Sequence, residues 1–123
     1  MLKSLSRLFG DKLKIQPTPV ETLDAFRLAV GASELPVIVN VWSATCPPCR
    51  QLAPVLVELA TAYEGRVRVV VISTEAEPAL LAELDIRATP TTVIFDKGAE
   101  VGRVTGYRPK SWFDEMMRVE LTR

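Results

Sequence analysis

The sequence predicts an α/β domain in which a central mixed β-sheet carries helices on both faces. Three observations predict it. Short, almost wholly apolar and β-branched runs at 37–42, 67–72 and 91–95 alternate with segments of helical period, the pattern of strands buried on both sides. Strand, helix and strand over 37–72 imply a right-handed crossover and therefore a parallel pair. A Lys97-Gly98 turn then folds the last strands into an antiparallel hairpin. The 123 residues suffice for one domain, and 48% apolar content supplies a core that needs no covalent staples.

Each element has its own warrant. Residues 1–14 place Leu2, Leu5, Leu8 and Phe9 on one helical face with Lys3, Arg7, Lys12 and Lys14 around it, an amphipathic extension ahead of a domain over 15–123. A short helix packed on the domain is preferred to a membrane-surface anchor or an organellar targeting segment. "PTPVETLDAFRLAV" (17–30) reads as a helix with Leu23, Phe26 and Val30 on one side, ended by Gly31. "VIVNVW" (37–42) is a buried strand. The next helix, 49–63, has the stripe Cys49, Leu52, Leu56, Leu59 and Tyr63. "VRVVVI" (67–72) is a second buried strand, and "PALLAELD" (78–85) a short helix begun by Pro78. "TTVIF" (91–95) pairs with "EVGRVT" (100–105), and "PKSWFDEMMRVEL" (109–121) closes the chain as a helix packed through Trp112, Phe113, Met116, Met117 and Val119.

Composition excludes several functions. Fifteen basic residues balance fifteen acidic ones, so no net field favours nucleic acid. The absence of histidine removes Cys–His and Ser–His–Asp catalysis and every zinc site that needs imidazole. Two cysteines are too few for a secreted disulfide framework. No apolar run approaches the ~20 residues needed to span a bilayer, and residues 1–14 lack the apolar core of a signal peptide. A reducing, cytoplasmic setting is therefore expected, where a disulfide is transient and catalytic rather than structural.

The two cysteines, Cys46 and Cys49, flank Pro47-Pro48 at the junction between strand 37–42 and the helix that follows. Unpaired N–H groups and the positive end of the helix dipole favour a thiolate on Cys46. Cys49 heads the apolar stripe and is expected to be the more buried and harder to ionise. An exposed, activated thiol beside a shielded one is the asymmetry that thiol–disulfide exchange uses. Proline is tolerated in the first helical turn, but here it removes two donors that could reach the Cys46 sulfur, leaving the dipole and the N–H of Cys49.

"VWSATCPPCRQLAP", "ATPTTVIF" and "KGAEVGRVTG" together resemble the thioredoxin family over about residues 15–121. The resemblance implies the thioredoxin-like fold and a protein disulfide oxidoreductase with no bound cofactor. Cys46 would be its nucleophile and Cys49 its resolving thiol. It implies a substrate groove made by Trp42, Thr45, Pro47, Pro48, Thr89, Pro90 and Gly106, with Thr105 beside it. Sequence alone predicts a trans Pro90; the resemblance implies cis, with the Thr89 backbone free to pair with an extended client peptide. It implies a helix that continues past Pro54. The partners implied are protein disulfides and a thioredoxin-reductase-type electron donor, with the chain acting as a monomer.

This sequence also departs from the family pattern. Asn40 stands where the family usually carries a buried aspartate that helps deprotonate the second cysteine, and an amide cannot act as a base. Val71 replaces a lysine near that aspartate. Losing both charges together is coherent, because a lone buried charge is costly. Thr45 replaces a tryptophan and Pro47 a glycine, so a smaller, more polar groove is expected. Arg50 reads as a solvated charge, and Trp42 as packing beneath the site. The competing readings are two space-filling thiols, a four-thiolate zinc site shared across a dimer, and a binding or chaperone-like adaptor with weak redox turnover.

Overall fold

The computed structural model describes residues 13–121. The helical face expected within 1–14 lies almost wholly outside the described residues. The elements run β1 (Thr18–Pro19), α1 (Leu23–Phe26, continued by a π-turn over Arg27–Gly31), β2 (Val37–Trp42), α2 (Pro47–Ala62), β3 (Arg68–Ser73), α3 (Pro78–Leu84), β4 (Thr91–Asp96), β5 (Ala99–Thr105) and α4 (Lys110–Leu121). They build one sheet in the order β1-β3-β2-β4-β5. β2 is parallel to β3 and antiparallel to β4, which carries β5 as its hairpin partner.

Alternation along each strand divides the core in two. Val37, Val39 and Val41 of β2 join Val70, Ile72, Val93 and Phe95 under α1 and α3. Ile38 joins Val69 and Ile94 under α2 and α4, where Leu52, Leu56, Leu59 and Phe113 are buried. Each such side chain contributes about 1.5–3 kcal/mol on burial. The same alternation places Asn40 of β2 and Thr92 of β4 on the α2 face. They are Cα partners, and the Asn40 Nδ2 donates to Thr92 Oγ1 at 3.2 Å.

Two expectations need correction. Residues 17–22 are not helical: Thr18 and Pro19 pair with Val70 and Val71 along the open edge of β3, and the Val20 N–H bonds to the Val71 carbonyl at 3.0 Å. Available edge pairing outweighs local helical period here, and proline is tolerated at a sheet edge. The helix starts only after Thr22, whose Oγ1 accepts from the Ala25 N–H at 3.1 Å. Val119 is 53% exposed, so the α4 stripe is carried by Phe113 and Met117 with Trp112 and Met116 half-buried. Tyr63 is the C-cap of α2 and, half-buried, packs against the same core as Leu52, Leu56 and Leu59, as its place in the stripe implied. Its hydroxyl donates to Asp114 Oδ1 at 2.7 Å and so clasps α2 to α4. Burial raises the Asp114 pKa, but hydrogen bonds from Tyr63 and Lys110 outweigh it and hold the carboxyl below its ordinary range.

The Lys97-Gly98 turn has positive φ at both residues, 52° and 82°, as a tight two-residue hairpin requires. It also seats the hairpin tip on the end of α1, since a Cβ at Gly98 would lie 2.8 Å from the Gly31 carbonyl oxygen. Gly98→Ala is expected to cost about 1–3 kcal/mol, a fall in Tm of about 5–15 °C by circular dichroism. An unchanged melting curve would refute this close approach.

Candidate active site

Strand directions bring four chain segments to one edge of the sheet. These are the C-terminal ends of β2, β3 and β5 and the N-terminal end of β4. Cys46 leaves the loop after β2 in an extended conformation (φ −124°, ψ 101°) and is the N-cap of α2. Its Sγ accepts the Cys49 N–H at 3.2 Å, and its carbonyl accepts the Arg50 N–H at 3.2 Å. Pro47 and Pro48 occupy the first turn, where a missing N–H forfeits no helical bond. α2 runs unbroken through Pro54, as the family resemblance implied.

Cys46 and Cys49 form a disulfide, with Cα atoms 5.2 Å apart. The expected difference in exposure is not present: Cys46 is 7% and Cys49 6% exposed. The bond holds the Cys46 sulfur back over the first turn as a cap, instead of outward in solvent. Electrostatic position still distinguishes the two, since the N–H reaches Cys46 while Cys49 stands within the helix.

The Thr89–Pro90 peptide is cis, as the resemblance implied and sequence alone did not. Pro90 is buried and Thr89 half-buried, and Thr89 Oγ1 donates to Ser43 Oγ at 3.4 Å, tying this loop to the one that leads into Cys46. Gly106, at φ 96°, donates its N–H to the Pro90 carbonyl at 2.8 Å. Thr105 Oγ1 lies 3.5 Å from Thr91 Oγ1. Thr45, Pro47 and Pro48 are exposed beside the disulfide. Trp42, read as packing beneath the site, is 37% exposed at the end of β2 and lines a cavity shared with Cys49. The final residue of the strand is already at the sheet edge, where its cover is incomplete.

A cavity of about 380 Å³ opens behind Cys49, with Asn40, Val71, Trp42, Arg50, Gln16 and Pro17 among the residues lining it. Asn40 and Val71 are Cα partners across the β2–β3 pair, so the two neutral replacements are direct neighbours. Asn40 is 2% exposed, and no described buried side-chain nitrogen or oxygen lacks a partner. Arg50 is exposed on the first turn of α2 and, among the described residues, is the one charged residue lining this cavity. The sequence signalled neither Gln16 and Pro17 nor Ser43, because their proximity depends on β1 pairing and on the cis loop.

The family model for thioredoxin matches residues 17–119. The chain belongs to the thioredoxin family. It is 37% identical over 100 residues to "Thioredoxin 1" of Nostoc sp., covering 81% of this chain and 94% of that one. It is 42% identical over 94 residues to a thioredoxin of Synechocystis sp., covering 76% and 88%. A thioredoxin of Malassezia sympodialis has a similar fold, with a TM-score of 0.75 at 22% identity over 85% of this chain and 90% of that one. This thioredoxin-family protein is a thiol–disulfide oxidoreductase that works through its Cys46/Cys49 couple without a bound cofactor. Its family reduces protein disulfides, with thioredoxin reductase as the usual electron donor.

Proposed function

We propose that Cys46 is the attacking thiolate and Cys49 the resolving one in the reduction of client protein disulfides. Cys46 Sγ attacks one client sulfur, the client S–S bond breaks, and the departing thiolate takes a proton from water. Cys49, once deprotonated, attacks Cys46 Sγ. The mixed disulfide breaks, the second client thiolate leaves, and two electrons have passed from the 46–49 dithiol to the client. A thioredoxin-reductase-type donor then returns the pair to its reduced state. The extended client segment lies over Trp42, Thr45, Pro47 and Pro48 and pairs with the backbone at Thr89–Pro90, beside Gly106. The protein works as a cytoplasmic monomer, and no helix among the described residues is long and apolar enough to cross a membrane.

The observation that carries this assignment is the Cys49 N–H on the Cys46 sulfur at the mouth of α2. An N–H donor and the helix dipole stabilise charge at that sulfur and not at its neighbour. In the reduced protein at pH 7, iodoacetamide is expected to modify Cys46 about tenfold or more faster than Cys49, read by peptide mass mapping. Equal rates, or faster labelling of Cys49, would reverse the two roles.

A further inference from the structure

The groove lacks an aromatic residue at Thr45, yet it does not lack an aromatic wall. Among the described residues, two aromatic side chains are left substantially exposed, Trp42 at 37% and Tyr107 at 39%. Both lie at the redox edge of the sheet. Trp42 ends β2, and Tyr107 stands two residues beyond the last residue of β5. β4 lies between those strands and carries the cis Pro90 at its head. Trp42 and the β5–α4 loop that carries Tyr107 therefore lie on either side of Pro90.

Tyr107 is also held in place. The preceding Gly106 N–H bonds to the Pro90 carbonyl at 2.8 Å. Arg108 Nη1 donates to the Tyr107 carbonyl at 2.7 Å, and the Arg108 guanidinium lies 5.8 Å from the centre of the Trp112 ring on α4. A tyrosine on a backbone pinned from both sides loses little entropy when it is covered, which suits it to anchor a partner.

We infer that Tyr107 is a specificity-determining residue, the aromatic contact for an apolar side chain of the client two residues from the attacked cysteine. This rests on the roles assigned to Cys46 and Cys49 above. In an extended segment paired beside Pro90, side chains two residues apart share a face. A residue at that offset is thus presented on the same side as the attacked cysteine, where the Gly106–Pro90 hydrogen bond joins the β5–α4 loop to the cis loop. The chemical class of client is an extended disulfide-bearing segment with an aromatic or aliphatic residue at that offset.

Two synthetic peptides with the same intramolecular disulfide test it, one with Phe and one with Ser two residues from the attacked cysteine. The wild-type protein is expected to reduce the Phe peptide with about tenfold higher kcat/KM, mostly through KM. Tyr107→Ala should bring that ratio close to one, Tyr107→Phe should keep it, and Leu28→Ala, at a residue 75% exposed on the α1 π-turn, should leave it unchanged. A ratio that survives in Tyr107→Ala, or that is absent from the wild type, overturns the inference while leaving the cysteine roles standing. Failure to reduce either peptide overturns those roles and the inference with them.

Discussion

Cys49→Ser is expected to stop the protein halfway through its cycle, with a client covalently held on Cys46. The first exchange needs only the sulfur at the α2 N-cap, whose hydrogen bond comes from the backbone of residue 49 and survives the substitution. The second exchange needs a thiolate at 49, and a serine hydroxyl ionises far too weakly to replace it. Steady-state reduction of a protein disulfide should fall on the order of a thousandfold or more, while intact-mass analysis shows one client per chain, released by a small dithiol. Cys46→Ser should lose turnover as fully and trap nothing. A Cys49→Ser protein that turns over normally, or an adduct on a residue other than Cys46, would exclude this sequence of exchanges.

Asn40→Asp is the second large effect, and it acts in opposite directions on turnover and stability. A carboxylate on the α2 face of β2, where Asn40 lines the cavity behind Cys49, can take the proton that the resolving thiol must lose. Reduction of the mixed disulfide should accelerate by roughly tenfold to a hundredfold in single-turnover measurements. The same position is 2% exposed and its cross-strand neighbour is Val71, so the new charge has no cation beside it on the strand. At neutral pH the variant should be less stable by about 2–4 kcal/mol.

The sign of the pH dependence follows from desolvation. Burial raises the folded pKa of the new carboxyl above its unfolded value of about 3.9. The variant therefore matches the parent below about pH 4, and its deficit grows as pH rises through the folded pKa. Adding Val71→Lys should recover part of the deficit, because the two residues are Cα partners. Denaturant melts at acid and neutral pH measure it; an unchanged rate of resolution in Asn40→Asp would show that the neutral site is not what limits that step.

Much of the fold was legible because its strands announce themselves. The runs at 37–42, 67–72 and 91–95 are apolar on both faces, and the structure sandwiches them between two helical layers. The C-x-x-C spacing and Pro47-Pro48 located the α2 N-terminus, and the observed N-cap is Cys46 itself. β1 was not legible, since two residues pairing with an edge have no periodicity to detect. The exposures of Trp42 and Cys46 were misjudged for a related reason: local pattern indicates which face a residue takes, but not whether another layer reaches the end of the strand. The sequence marked Gly106 and passed over Tyr107, because only the hydrogen bond to Pro90 brings that loop to the redox edge.

Backbone atoms join the separate segments of this edge. The Gly106 N–H meets the Pro90 carbonyl, the Thr74 N–H meets the Trp42 carbonyl, and an amide of α2 meets the reactive sulfur. Apart from the Thr89–Ser43 hydroxyl contact, side chains on the rim therefore take little part in holding the frame that performs the electron exchange. Clientele and chemistry are consequently separable properties in this protein, and rim residues can be exchanged to retarget it while the redox couple stays in place.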